Sequence, residues 1–218
     1  MAGESGQHLV GDIHAKEWEE HRRDWAAVTR VTPVFRGWMP DGYETEESPR
    51  VLLVGKATSG AFDQPDDHQD SFNGKYAFWA FARRIARALD QPVNPLACVA
   101  WTNIAKFNTT GIEPTPEVLR DAKELVVQTL FAEIRKAQPD VVVFTVSHFC
   151  DEVVQRVAKA PSDTYWDFDG LNSVESIHDI WWRTSDTGIS YVWMCHPQGA
   201  SEEHLNFASN KIASLAKR

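Results

Sequence analysis

The chain has 218 residues, with 22 basic against 31 acidic side chains and a formal net charge of −9. At 43% hydrophobic and 24% charged residues it has an ordinary globular balance, long enough to bury a full core, and its acidity counts against a protein that coats nucleic acid. No apolar run approaches the roughly 20 residues of a membrane span, the start lacks the basic and apolar regions of a secretory signal, and Cys98, Cys150 and Cys195 lie too far apart for a disulfide framework or a metal site. A soluble, reduced, cytoplasmic protein with no membrane partner is expected.

Apolar residues at helical spacing, including Trp18, Trp25 and Val28, predict an amphipathic helix from residue 12 to about 30. Residues 33–49 hold three Pro, two Gly and an acidic cluster and read as a loop. Residues 1 to about 49 thus form an N-terminal helical extension of a single domain spanning 1–218. Val51-Leu52-Leu53-Val54 runs straight into Gly55, the pattern of a strand buried on both faces and closed by a tight turn. After a polar loop over 56–74, Phe78, Phe81, Ile85 and Leu89 mark a helix. The apolar run 96–101 ends in Thr102-Asn103, a second strand. Thr115 and Pro116 supply the N-cap and first turn of one long helix through residue 136. Val141 to Phe144 is a third strand, 149–159 a helix, and Tyr191 to Met194 a fourth strand running into Cys195-His196-Pro197. A last helix covers about 202–216, with Ser201 as its N-cap. Residues 160–188, with Trp166, Trp181, Trp182 and His178, show no period and read as an aromatic-rich insertion: a hydrophobic cover, a dimer surface or a substrate flap.

Four apolar strands separated by helices predict an α/β fold, three layers (αβα) around a central, mainly parallel four-stranded sheet. In such sheets ligands bind beyond the carboxyl ends of the strands. There the chain carries Gly55-Lys56-Ala57, Asn103, the stretch from Thr145 through Ser147 and His148, and His196-Pro197. Gly55-Lys56 is no phosphate loop, since Arg50 stands where the motif needs its first Gly and Ala57 where it needs Ser or Thr. Gly55 serves either a strand-to-loop turn or a close approach of backbone to a ligand. Asn103 is either a turn residue or an amide able to read a nucleobase edge. His196 is either a loop cap or a hydrogen-bond donor to an oxyanion. Phe72, in a polar Gly-containing loop, is either a core anchor or a stacking platform for a base.

In this order, Gly55-Lys56-Ala57, Phe72, Asn103 and His196-Pro197 resemble the motifs of the uracil-DNA glycosylase superfamily. Ser71-Phe72-Asn73-Gly74, Trp101-Thr102-Asn103-Ile104-Ala105-Lys106 and Gln138-Pro139-Asp140-Val141-Val142-Val143 are similar to segments of its family-four branch. The resemblance covers about residues 50–215 and implies the glycosylase-like fold and base flipping: a nucleotide swings out of DNA into a pocket at the strand ends. It implies that Phe72 stacks on the base, Asn103 bonds its edge, and His196 stabilises charge developing on a carbonyl oxygen as the N-glycosidic bond breaks. Gly55, Ala57, Ser147, His148 and Pro197 complete the expected pocket. The chain departs from the pattern at Lys56 and Ala57, where the first motif carries an acid or amide. Asp63, Asp66 or Asp67 could supply the missing carboxylate. The cysteines of the iron–sulfur branch are absent, so no cofactor and no metal is expected.

The expectation is a DNA glycosylase acting on a non-canonical or modified base, with a modified cytosine of phage DNA and hence phage defence as one setting. Lys56 adds a variant in which an amine attacks the sugar. The alternatives are a catalytically inert nucleic-acid or nucleotide-binding module of the same fold, and a nucleotide enzyme using His196 as acid and base. Residues 72–137 hold 9 basic and 6 acidic side chains, the one stretch with a basic surplus. A salt-sensitive grip on DNA confined to one face, using Lys75, Arg83, Arg84, Arg87 and Lys106, is the corresponding expectation.

Overall fold

A computed structural model of the chain describes residues 6–27, 31, 34–43, 49–56, 76–89, 97–107, 116–146, 150–158 and 180–216. In order the elements are β1 (Gly6–Gln7), α1 (Asp12–Ala26), β2 (Met39–Pro40), β3 (Val51–Gly55), α2 (Ala77–Ala88), β4 (Val99–Asn103), α3 (Pro116–Asp121), α4 (Lys123–Ala137), β5 (Val141–Thr145), α5 (Asp151–Val157), β6 (Ile180–Thr184), β7 (Ser190–Met194) and α6 (Glu202–Ala216). The main sheet has the order β4-β3-β5-β7-β6; β4, β3, β5 and β7 are mutually parallel and β6 pairs antiparallel with β7.

Helices cover both faces, which is why β3 and β5 are apolar at consecutive positions rather than alternating. Leu53, Trp101, Val143, Val192 and Met194 face α2 and α6, while Leu52, Val54, Val142, Phe144 and Trp193 face α1, α3, α4 and α5. The result is an α/β fold of three layers. Among the described residues its main sheet has five strands rather than the expected four, the fifth being β6, inside the stretch read as an insertion. The predicted long helix is two, α3 and α4, joined at Ala122, whose backbone (φ −96°, ψ 9°) leaves helical geometry.

The N-terminal segment is built into the core. Trp18 on α1 is fully buried, and its indole N–H donates to Thr129 Oγ1 at 2.9 Å across 111 residues of sequence. Residues 35–38 line the outer edge of β4. Trp38 and Trp101 exchange backbone hydrogen bonds at 2.8 and 2.9 Å, and the Phe35 N–H donates to the Lys106 carbonyl. An unpaired sheet edge is thereby closed. The stretch read as loop also contributes β2, which pairs with β1.

Candidate functional site

The chain leaves β3 through α2 to β4 on one side, then returns through α3 and α4 to β5 on the other side of β3. The switch point of the sheet, where the connections part to opposite sides and where open α/β sheets bind their ligands, therefore lies at the ends of β3 and β5. Side chains alternate along a strand. Gly55, Asn103, Thr145 and Met194, the last residues of four adjacent parallel strands, consequently share the α2 and α6 face of the rim.

Gly55 and Asn103 stand side by side in register. A Cβ at position 55 would lie 2.6 Å from Asn103 Oδ1 and 3.2 Å from Phe78 Cε2. Glycine is needed here for space: the Asn103 amide and the Phe78 ring lie against its bare backbone. Asn103 is 4% exposed, so its amide is held at the rim rather than swinging in solvent. Phe78 touches Trp79 edge-on at 5.0 Å between ring centroids, and Trp79 meets Trp101 at 4.6 Å, which ties this aromatic wall to β4. Thr145 Oγ1 donates to the Val54 carbonyl at 3.2 Å and joins the two strand ends at the switch point.

On the opposite face of β4 lies a buried charged cluster. Lys106 Nζ donates to Glu133 Oε1 and Oε2 at 2.8 and 2.9 Å, to Thr102 Oγ1 at 2.6 Å and to the Asn103 carbonyl at 2.7 Å. The Thr102 hydroxyl donates in turn to Glu133 Oε1 at 2.6 Å. Both charged side chains are 0% exposed. Burial lowers the Lys106 ammonium from its ordinary range and raises the Glu133 carboxyl, while their mutual attraction opposes both shifts. Gly37, at φ +67°, closes over the cluster; a Cβ there would sit 3.0 Å from both Glu133 Oε1 and Thr102 Oγ1.

His196 follows β7 by two residues and is half-buried, with Pro197 buried beside it. Its Nδ1 accepts the Gln198 backbone N–H at 3.2 Å. The neutral ring then carries its proton on Nε2, making that nitrogen the donor. Ser201 does what its position predicts: its Oγ accepts the His204 N–H at 3.1 Å and caps α6. The Lys56 side chain is half-buried, and its carbonyl accepts the Ala105 N–H at 2.8 Å, as the Gly55 carbonyl does that of Ile104. The β3–β4 ladder thus runs past the strand ends.

Of the expected site residues, Gly55, Lys56 and Asn103 come together on β3 and β4, and His196 and Pro197 stand at the same rim beyond β7. Ala57, Asp63, Phe72, Ser147 and His148 lie outside the described residues, as do Asp66, Asp67 and Lys75. Thr145 stands at the strand end where the sequence placed it, whereas the contact of Phe78 with Gly55 and the Lys106–Glu133 pair were not foreseen. A signal for Glu133 was available: it occupies the apolar stripe of α4 with Val126, Leu130, Ile134 and Ala137. Among the described residues no group of His, Cys, Asp or Glu is arranged to hold a metal ion.

The expected one-sided basic surface is corrected in two respects. Lys106 is buried in its ion pair, and Arg84 is engaged by Glu202 at 2.6 Å and by Asn206. The basic surplus also falls on both helical layers, with Arg83, Arg84 and Arg87 on α2 and Arg120, Lys123, Arg135 and Lys136 on α3 and α4. No helix among the described residues is long and apolar enough to cross a membrane. The sequence matches no protein-family model and no curated protein. What the molecule does has to be read from its own site.

Proposed function

We propose that the protein is a DNA glycosylase that draws a non-canonical or modified base into the crevice at the strand ends and hydrolyses its N-glycosidic bond. The observation that carries this reading is the Asn103 amide at the end of β4, held beside the switch point against the bare backbone of Gly55. An immobilised amide offers one acceptor and up to two donors to a base edge. His196 supports the reading from across the rim. Its strand β7 is separated from β4 by β3 and β5, a span of about 14 Å at ordinary strand spacing. With Nε2 as donor it can stabilise negative charge developing on a base carbonyl without bringing a cation into the pocket.

In the resulting mechanism Asn103 binds the base edge, His196 takes up charge on the departing base, and water attacks the sugar. The family resemblance assigns Phe72 to stacking, and Asp63, in the stretch after β3, is the candidate for the water-activating carboxylate that the family motif lacks here. In a variant, the Lys56 amine replaces water and forms an imine with the sugar as the base leaves. The setting that fits the departure at Lys56 and Ala57 is phage DNA with modified bases, in the cytoplasm. A second reading, recognition of a free nucleotide by the same pocket, is favoured by the internal engagement of Arg84 and Lys106, which leaves less positive charge for a DNA backbone.

The deciding experiment is an abasic-site assay over normal, deaminated and phage-modified DNA, with Asn103→Ala and His196→Gln as controls. Release of one base by the wild type, lost in Asn103→Ala, is expected. No abasic site on any DNA, with binding or turnover of free nucleotides instead, would overturn the reading. Borohydride separates the two nucleophiles: a trapped protein–DNA adduct that needs Lys56 identifies the amine, and its absence identifies water.

A further inference from the structure

We infer that the buried Lys106–Glu133 pair, with Thr102, is the positioning device of Asn103, and that its place in the fold is to fix the base-reading amide. This rests on the glycosylase reading for its functional consequence but not for its geometry. The peptide between Asn103 and Ile104 is held at both ends: its carbonyl accepts Lys106 Nζ at 2.7 Å and its N–H donates to the Gly55 carbonyl at 2.8 Å. The Asn103 side chain leaves that peptide on the other face of β4 and rests on Gly55. Rotation of the peptide would swing the amide off Gly55, and both rotations break a hydrogen bond.

The lysine reaches back only three residues to the Asn103 carbonyl, so it closes its own turn, while Glu133 anchors that turn to α4. Every donor hydrogen of the ammonium has an acceptor: Glu133, Thr102 and the Asn103 carbonyl. An apolar group of the same volume could fill this space and would often stabilise a fold as well as a buried ion pair does. What apolar packing cannot do is hold a carbonyl in one orientation. Lys106 and Glu133 are therefore positioning residues: they touch the peptide that carries the reading group, not the substrate.

The test uses the full chain with Thr102→Val, Lys106→Met and Glu133→Leu combined, which replaces the cluster by apolar side chains of similar shape. Two readouts are followed: the side-chain amide signals of Asn103 in a ¹⁵N-labelled protein, identified by their loss in Asn103→Ala, and kcat with KM for base release. The triple variant is expected to fold, to shift or broaden the Asn103 amide signals, and to lose about 100-fold in kcat with KM changed by less than about threefold. Glu133→Gln, which keeps an acceptor for Lys106, is expected to keep the wild-type amide signals. A folded triple variant with unchanged Asn103 signals, or with kcat within about threefold of wild type, would overturn the inference. If the triple variant does not fold, Lys106→Met is read in the same two ways. A wild type that releases no base overturns the glycosylase reading alone, and the amide signals then decide the positioning role.

Discussion

Replacing Gly55 by Ala adds one methyl group at the point where the Asn103 amide, the proposed reader of the base, rests. The new Cβ would lie 2.6 Å from Asn103 Oδ1, and ordinary contact begins at 3.4 Å, so the amide must retreat by about 0.8 Å. Phe78 Cε2, at 3.2 Å, has to give by only a few tenths of an ångström and belongs to a half-exposed ring. Overpacking of this kind costs about 1–3 kcal/mol, and Ala recovers about 0.4–1 kcal/mol by restricting the unfolded chain, provided the backbone is one it can adopt. Gly55 lies in a regular strand without positive φ and meets that condition. The net loss of stability is therefore about 0–2.5 kcal/mol, and the protein stays folded. A misplacement near 1 Å in a reacting constellation is expected to cost about 100-fold in rate. Urea unfolding followed by circular dichroism gives the first quantity, and single-turnover base release on the preferred DNA gives the second. A Gly55→Ala protein that releases the base as fast as wild type would falsify the placement of Asn103 as the reading group. A loss of stability far beyond 3 kcal/mol would show instead that the rim cannot yield.

The remaining expectations concern stability and reactivity. Lys106→Met strands the Glu133 carboxyl in the core and should cost about 3–5 kcal/mol in urea unfolding; a loss under 1 kcal/mol would mean that the pair is not buried as described. Because burial raises the Glu133 carboxyl above its ordinary 4.5, the folded chain holds that proton more tightly than the unfolded one. The stability this group contributes is full below pH 4.5 and is lost as pH rises through the folded value. The unfolding free energy of wild type minus that of Glu133→Gln should therefore fall as pH rises from 4.5, and a rising difference refutes the assignment. The Tyr43 hydroxyl is buried with no hydrogen-bond partner among the described residues, so Tyr43→Phe should be neutral or stabilising by up to about 1 kcal/mol; a clear loss would reveal a partner. Of the three cysteines only Cys195 is exposed, and burial pushes the Cys98 thiol up to about 11, so a thiol reagent at pH 8 should titrate one group in the native protein and three after denaturation.

The parallel core was legible because β3, β4, β5 and β7 are buried on both faces and announce themselves as unbroken apolar runs. β6 was not legible, since it lies at the sheet edge with only Ile180 fully buried, and its Trp181, Trp182, Arg183 and Thr184 carry no alternation that sequence could reveal. Trp181 instead packs on Trp193, and Trp182 lies under Lys211 Nζ at 3.8 Å, contacts made across the sheet and to α6. Gly55, Asn103 and His196 could be named because strand-end positions follow from chain order. Lys106 was misread as surface charge because its partner lies 27 residues away, on a helix of the opposite layer. Pairwise burial of charge leaves no local trace, except a Glu standing in an apolar stripe.

The closure of the β4 edge by residues 35–38, and of the ion pair by Gly37, bears on how the chain is made. The segment that seals the site is synthesised first, but its docking surface, from Trp101 to Glu133, leaves the ribosome roughly 60 to 100 residues later. Until then α1 must wait with Trp18 uncovered, and the ammonium of Lys106 cannot be shut away from water. Assembly of the strand-end rim around Asn103 is thus tied to the joining of two distant stretches of chain, contacts of high sequence separation that slow folding. A chain truncated by its first forty residues would present an open sheet edge and a solvated lysine, prone to pair with its neighbours.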